Sequence, residues 1–225
     1  MEIPSIFQQF VNLDWKIIQR NIDYLNREFP KEIKETTCFL ADQSWFLSRD
    51  MGFSELLEIH QLVMIKDMKT ADTKMYEWWD ENYKEVTGHL LTHYQSRGEI
   101  LAEAIRAHEQ GNFNLAVPVF LIQSEGICQD VFHERLFSTD KGIPKIHRKL
   151  IKRKRGAISS AFQGTFAVPN AVSAGSEYVH KYPDAINRHE IIHGRSIDYG
   201  TKNNSLKAIS LLCFCADVLP PRSDD

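Results

Sequence analysis

The most apolar stretch of the chain places the strongest constraint on its fold. This stretch runs from Leu115 to Phe137, and its first half is apolar on nearly every side, which is typical of a helix buried among other helices. Asn112 or Asn114 can serve as its N-cap, and Pro118 falls in the predicted first turn, where a missing N–H has no helical partner to lose. We therefore expect this helix to form the centre of a bundle.

Helical spacing of apolar residues predicts helices in the first half of the chain. The first helix is expected to end at Pro30, and Ser54 can cap a short helix after it. A long helical pattern over residues 77–110 ends at Gly111, the residue type that favours a left-handed cap. Residues 36–50 are compatible with either a strand or a buried turn.

The last part of the chain also carries start and stop signals for helices. Pro183 is predicted to start a helix that ends at His193, before Gly194, and Ser205 can cap a final apolar helix that Pro220 stops. Residues 156–175 predict a loop. Almost no segment alternates with a period of two, so the sequence predicts an all-α fold, a helical bundle. A boundary near residues 75–85 is expected to divide an N-terminal helical region, residues 1–80 of unknown role, from a C-terminal helical bundle, residues 81–222.

Composition excludes several classes of protein. With 43% hydrophobic and 25% charged residues, the chain is expected to form a packed core. No run approaches the roughly 18 to 20 apolar residues of a membrane span, and the first residues lack the basic and apolar regions of a secretory signal. The four cysteines include no Cys-x-x-Cys pair, which argues against a disulfide scaffold or a thiolate zinc site. We expect a cytoplasmic protein that does not associate with membranes.

One basic segment stands out on a chain whose net charge is −3. Residues 141–155 contain eight Lys or Arg residues and no acidic residue. Its final side chains can contact RNA phosphates, and these are Lys152, Arg153, Lys154 and Arg155. A charge run of this kind is more often a solvated helix face, and both interpretations stay open.

Residues 187–195 concentrate two imidazoles, a carboxylate and two guanidiniums in nine positions. Within them His189, Glu190 and His193 match the letters of the His-Glu-x-x-His zinc motif, in which two histidines on one helix face bind the metal and the glutamate is the general base. A catalytic zinc needs a third protein ligand, and no glutamate or histidine follows His193, which leaves Asp198 and Asp217 as substitutes. A zinc metallohydrolase is therefore the less favoured alternative, and we expect no metal or other cofactor.

The same residues contain Arg-x-x-x-x-His, from Arg188 to His193. At this point the sequence resembles the HEPN superfamily, helical-bundle proteins many of which are metal-independent ribonucleases of bacterial toxin, abortive-infection and CRISPR-linked defence systems. The resemblance covers residues 85–220. It rests on this motif near a helix end, on the all-α pattern, on the turn at residues 194–200, and on Gln-Ser-Glu-Gly-Ile at residues 123–127. It implies a HEPN-like bundle with an N-terminal helical extension.

The resemblance also implies roles for the motif residues. His193 would be the general acid or base, Arg188 the phosphate clamp, and His189 an assisting group. The chemistry is suitable, because histidine titrates near pH ~6.5 and arginine is a permanent bidentate cation. Five residues at about 100° each place Arg188 some 140° around the helix from His193. In the family two chains are thought to join their motifs in a dimer cleft, which would relieve this difficulty.

The expected function is thus RNA cleavage by a homodimer, in a toxin or phage-defence setting with an antitoxin or defence-system partner protein. Supporting roles are expected for Asn187, Glu125, Arg195 and Tyr199. Glu125 could orient a motif histidine or accept backbone hydrogen bonds in the core. His193 could equally be an imidazole that stabilises a helix C-terminus. The alternative to the enzyme is a non-catalytic HEPN binding or regulatory module.

Overall fold

The computed structural model describes residues 15–140, 143–153, 156–167 and 170–220. Its elements, in chain order, are α1 (Trp15–Arg27), α2 (Phe29–Ala41), α3 (Phe53–Met64), α4 (Met68–His93), α5 (Gly98–Glu109), α6 (Phe113–Phe132), β1 (Thr139–Asp140), β2 (Ile143–Pro144), α7 (Lys145–Leu150), α8 (Ala157–Gln163), α9 (Arg188–Ile192) and α10 (Lys202–Val218). Short 3-10 turns lie at Gln95–Arg97, Gly164–Phe166 and Ser176–Lys181. The two strands form an antiparallel hairpin. The predicted all-α helical bundle is confirmed.

Helix α6 lies at the centre of this bundle, as its apolar sequence predicts. It packs most extensively against α10 and next against α5, while α4 also packs against α10. By length and composition α6 could cross a membrane, but half of its most apolar 18-residue stretch is buried inside the protein. A core helix meets the same criterion, so one such helix is weak evidence for a membrane span.

Pro118 lies further inside α6 than the sequence predicts. The helix begins at Phe113, directly after its N-cap residue Asn112, so that Pro118 falls in the second turn rather than the first. Because proline has no N–H, the carbonyl four residues earlier, that of Asn114, loses its helical donor. The Tyr199 hydroxyl donates a hydrogen bond to that carbonyl at 3.1 Å. A side chain from the turn before α10 thus replaces the missing backbone bond.

The predicted glycine stop signals are confirmed. Gly111 has φ +76° and Gly194 has φ +68°, the left-handed conformation that ends a helix. The single helix predicted over residues 77–110 is wrong, however. It is divided at Tyr94, which leaves the helical conformation and donates its hydroxyl to the Ala216 carbonyl in α10 at 3.2 Å.

Three of the predicted helix starts are wrong. Helix α3 begins directly after Gly52, which occupies the N-cap position, and Ser54 lies inside its first turn. Helix α10 begins directly after Thr201. Thr201 is its N-cap, because its side chain accepts a hydrogen bond from the Asn204 N–H at 3.1 Å. Ser205 lies inside that helix, where its hydroxyl is hydrogen-bonded to His108 at 2.7 Å. Helix α9 begins at Arg188 rather than Pro183.

The segments predicted to be irregular differ from expectation in part. The first helix ends at Arg27, before the predicted Pro30, which instead lies in the first turn of α2. Residues 36–41 complete α2, and the chain then forms a buried turn around Trp45 and Phe46. The loop predicted over residues 156–175 contains α8 and a 3-10 turn, because Phe162 and Phe166 pack against the ring of Phe214 in α10.

The division predicted at residue 80 falls inside α4, which is continuous from Met68 to His93. The described residues before it share a hydrophobic core with those after it. The Phe46 ring lies 5.4 Å from that of Phe214, and the Phe46 N–H donates to the Ser210 hydroxyl at 3.2 Å. Residues 15–80 therefore pack directly on α10.

Candidate functional site

Asn187 determines where the motif helix begins. Its side-chain oxygen accepts a hydrogen bond from the Glu190 N–H at 3.1 Å, which makes it the N-cap of α9. Its amide group donates to the carbonyls of Ala171 at 3.0 Å and Ala174 at 2.9 Å. This buried side chain thus fixes the start of α9 against the segment at residues 171–174.

Two further buried donors hold the chain that leads into α9. The Ser44 hydroxyl donates to the Ile186 carbonyl at 3.1 Å. The Lys207 ammonium, whose side chain is 1% exposed, donates to the Asp184 carbonyl at 2.9 Å and lies 3.2 Å from the Asp72 carboxylate. Burial lowers the pKa of Lys207, an effect that Asp72 opposes. Lys207 is not among the residues predicted for the site, although it is the only charged residue between Ser205 and Ala216.

Arg188 forms an ion pair with Glu125 across the interface between α9 and α6. Its Nη2 donates to Oε2 of Glu125 at 2.6 Å, with side-chain exposures of 26% and 20%. The guanidinium carbon also lies 5.4 Å from the centre of the Phe137 ring. Neither predicted role of Glu125 is what the structure shows, because this carboxylate holds the motif arginine. The two residues are 63 positions apart, and no local pattern links them.

The two motif histidines lie against each other at the end of α9. Their ring centroids are 4.4 Å apart, as the i, i+4 spacing allows. His189 is half-buried, whereas His193 is exposed and is the C-cap of the helix, its N–H donating to the His189 carbonyl at 3.1 Å. Gly194 then ends the helix.

A groove of about 490 Å³ lies beside the start of α9. We call it the motif groove. It is bounded by the segment before β1, by residues 172–175, by the 3-10 turn at Ser176–Lys181 and by α9. Its described lining residues are Phe137, Thr139, Val172, Ser173, Ala174, Gly175, Tyr178, Lys181, Tyr182, Arg188 and His189. Arg188 and His189 thus face one space, and His193 is not among the residues that line it.

Arg195 and Tyr199, which the sequence places in supporting roles, line a second cavity of about 430 Å³. Arg195 pairs there with Glu190 at 3.3 Å. Asp184 and Asp198 also line this cavity, so it carries more acidic than basic groups. The structure therefore separates these two predicted residues from the Arg188 side of the helix.

The residues predicted to bind RNA at positions 152–155 differ in their surroundings. Lys152 is exposed. The Arg153 guanidinium donates to the Leu219 carbonyl at 2.6 Å and lies 4.1 Å from the Phe132 ring centroid. Arg153 thus attaches the segment to the end of α10. Lys154 and Arg155 lie outside the described residues.

The residues that match the zinc motif place two imidazoles, those of His189 and His193, in contact. They provide no third ligand for a zinc ion. Glu190 faces the second cavity and pairs with Arg195. Across the four described ranges, no group of three His, Cys, Asp or Glu side chains is arranged to hold a metal ion. The donors that the structure describes therefore do not complete a catalytic zinc site.

Comparisons of the chain with protein-family models, with curated proteins and with solved structures found no match. The relation to the HEPN superfamily therefore remains a resemblance, carried by the Arg188 to His193 motif and by the helical fold.

Proposed function

We propose that the protein is a metal-independent endoribonuclease of the HEPN type, in which Arg188 and His193 act with assistance from His189. One observation carries the proposal: the motif arginine is held by Glu125 at the edge of a groove that the neighbouring imidazole of His189 also lines. A fixed cation and an imidazole in one groove, with a second, exposed imidazole at the end of the same helix, are groups suited to phosphate chemistry.

The reaction that these groups support is cleavage of RNA by its own 2′-hydroxyl. The 2′-oxygen attacks the phosphorus, the bond to the 5′-oxygen breaks, and the products are a 2′,3′-cyclic phosphate and a 5′-hydroxyl. One imidazole takes the 2′ proton, and a protonated imidazole supplies a proton to the leaving oxygen. Arg188 stabilises the negative charge that develops on the phosphorane.

The separation of Arg188 from His193 supports a site built from two chains. Arg188 lines the motif groove, whereas His193 is exposed at the opposite end of the short helix. In the proposed homodimer, His193 of one chain reaches the groove of the other, which joins the two groups that one helix separates. The cytoplasmic toxin or phage-defence setting, with an antitoxin or defence partner, is a proposal that comes from the resemblance alone.

Cleavage of total RNA by the purified protein in EDTA tests the proposal. We expect the wild type to cleave, and Arg188→Ala and His193→Ala to lose activity while keeping the fold and the dimer content. Arg106→Ala and His89→Ala are matched controls, because both side chains are exposed and lie on α5 and α4, away from the motif. Cyclic phosphate termini are expected on the products.

Two results would contradict the proposal. Activity that survives both motif substitutions would assign cleavage to other residues or to a contaminant. A folded, dimeric wild type that cleaves no cellular or phage RNA would favour the non-catalytic HEPN binding module.

A further inference from the structure

The motif groove has an aromatic wall that the proposed chemistry does not use. Tyr178 is about half exposed and Tyr182 is half-buried, and both line the groove together with Phe137. The Lys181 ammonium lies 4.7 Å from the centre of the Tyr178 ring. Exposed aromatic rings bordered by cations are the side chains on which unpaired nucleic-acid bases stack.

The charge of the groove favours an anion. Lys181 and Arg188 both line it, and none of the lining residues that the structure describes carries a carboxylate. Glu125 balances the charge of Arg188 from outside that lining, so the excess positive charge comes from Lys181. The second cavity, by contrast, is lined by Asp184, Glu190 and Asp198. The net charge of the chain is −3. The motif groove is therefore a local exception that favours a negatively charged ligand.

Arg188 retains donors for such a ligand. Its Nη2 bonds Glu125, and among the described residues its guanidinium makes no second hydrogen bond. A guanidinium has five N–H donors, so the remaining ones are available to phosphate oxygens. The volume of about 490 Å³ lies within the range of about 300–1,000 Å³ that is typical of small-ligand sites.

We propose that the motif groove binds one nucleotide of single-stranded RNA, with the base against Tyr178 and the phosphate between Lys181 and Arg188. The choice of RNA rests on the proposed function. A single strand is required, because a base within a duplex is paired and stacked and cannot reach an aromatic side chain. Tyr178 is thus a substrate-binding residue, separate from the residues that transfer protons.

Binding of an uncleavable RNA tests the subsite independently of catalysis. The probe is a fluorescently labelled, fully 2′-O-methylated single-stranded decamer, which lacks the nucleophilic hydroxyl, and the readout is fluorescence anisotropy. Tyr178→Ala is expected to weaken binding roughly 5- to 150-fold, the effect of losing one stacked base. Tyr178→Phe, which keeps the ring, is the matched control and is expected to bind as the wild type does.

The lysine is tested through salt dependence. Lys181→Gln is expected to reduce the slope of log Kd against log salt concentration by about 0.7, the value for one phosphate contact on a single strand. Lys69→Gln, on the exposed surface of α4, is expected to leave the slope unchanged. Because Tyr178 and Lys181 are both exposed, neither substitution should affect folding, which urea unfolding checks.

Several results would overturn the subsite. They are equal decamer affinity for Tyr178→Ala and the wild type, equal binding of the decamer and its duplex, and Tyr178-dependent binding of adenosine monophosphate without binding of the decamer. Failure of the subsite is distinguishable from failure of the proposed function. Cleavage with no effect of Tyr178→Ala on affinity removes the subsite alone, whereas Tyr178-dependent binding without cleavage removes the nuclease alone.

Discussion

His108 makes the stability of the protein depend on pH in a calculable way. Its ring is 4% exposed, is hydrogen-bonded to Ser205 at 2.7 Å, and packs edge-on against Tyr83 and Phe113. Burial, aided by the charge of Lys202, lowers the pKa of His108 from 6.5 to about 4. The hydrogen bond between His108 and Ser205 joins α5 to α10. Helix α10 is also the helix on which the central helix α6 packs most extensively.

The sign follows from which state binds the proton first. As pH falls below about 6.5, the unfolded chain protonates His108 while the folded protein keeps it neutral, so protonation favours unfolding. The stabilising contribution is therefore complete above pH 6.5 and is lost as pH falls to about 4. At 1.36 kcal/mol per pKa unit, the loss of unfolding free energy is about 3 kcal/mol.

Urea unfolding at pH 7 and at pH 4, on the wild type and on His108→Gln, measures this contribution. Glutamine can bond Ser205 but does not titrate, and the carboxylates titrate in both proteins, so the difference between them isolates the histidine. We expect His108→Gln to lose about 3 kcal/mol less stability than the wild type over this range. Equal losses in the two proteins would refute the reasoning.

Other predictions concern the parts that hold the site. Asn187→Ala removes the N-cap of α9 and two donated hydrogen bonds, and is expected to cost about 2–4 kcal/mol in urea unfolding; a loss below about 0.5 kcal/mol would contradict the capping role. Glu125→Gln keeps an acceptor for Arg188 but removes its charge, and is expected to cost about 1–2 kcal/mol and to reduce RNA cleavage; unchanged cleavage would show that the ion pair does not position the arginine. Gly88→Ala, at an open position in α4, is expected to raise stability by about 0.5–1 kcal/mol in thermal unfolding; destabilisation would show a contact at that face.

The sequence predicts those features of the fold that depend on local chemistry. The helix ends at Gly111 and Gly194 follow from the left-handed conformation that glycine adopts most easily. The central helix follows from its apolar composition. Helix starts are harder to predict, because several polar residues compete for each cap, and Thr201 caps α10 while Ser205 is needed by His108 in the core.

The candidate site was predictable only in part, because its contacts join segments that are far apart in the sequence. The motif spacing predicts that Arg188 and His193 do not share a helix face, and the structure places only Arg188 in the groove. The pairing of Arg188 with Glu125 and the groove itself depend on contacts between distant segments. The buried Lys207 likewise depends on the fold, since its partners Asp72 and Asp184 come from elsewhere in the chain.

A mixing experiment with two inactive variants tests the composite site most directly. If Arg188 of one chain acts with His193 of the other, a dimer of Arg188→Ala with His193→Ala contains one intact site and one that lacks both groups. Refolding the two variants together in equal amounts should then restore about one quarter of wild-type RNA cleavage, because about half of the dimers are mixed and each has one working site. No recovery in a mixture shown to contain mixed dimers would contradict the composite site.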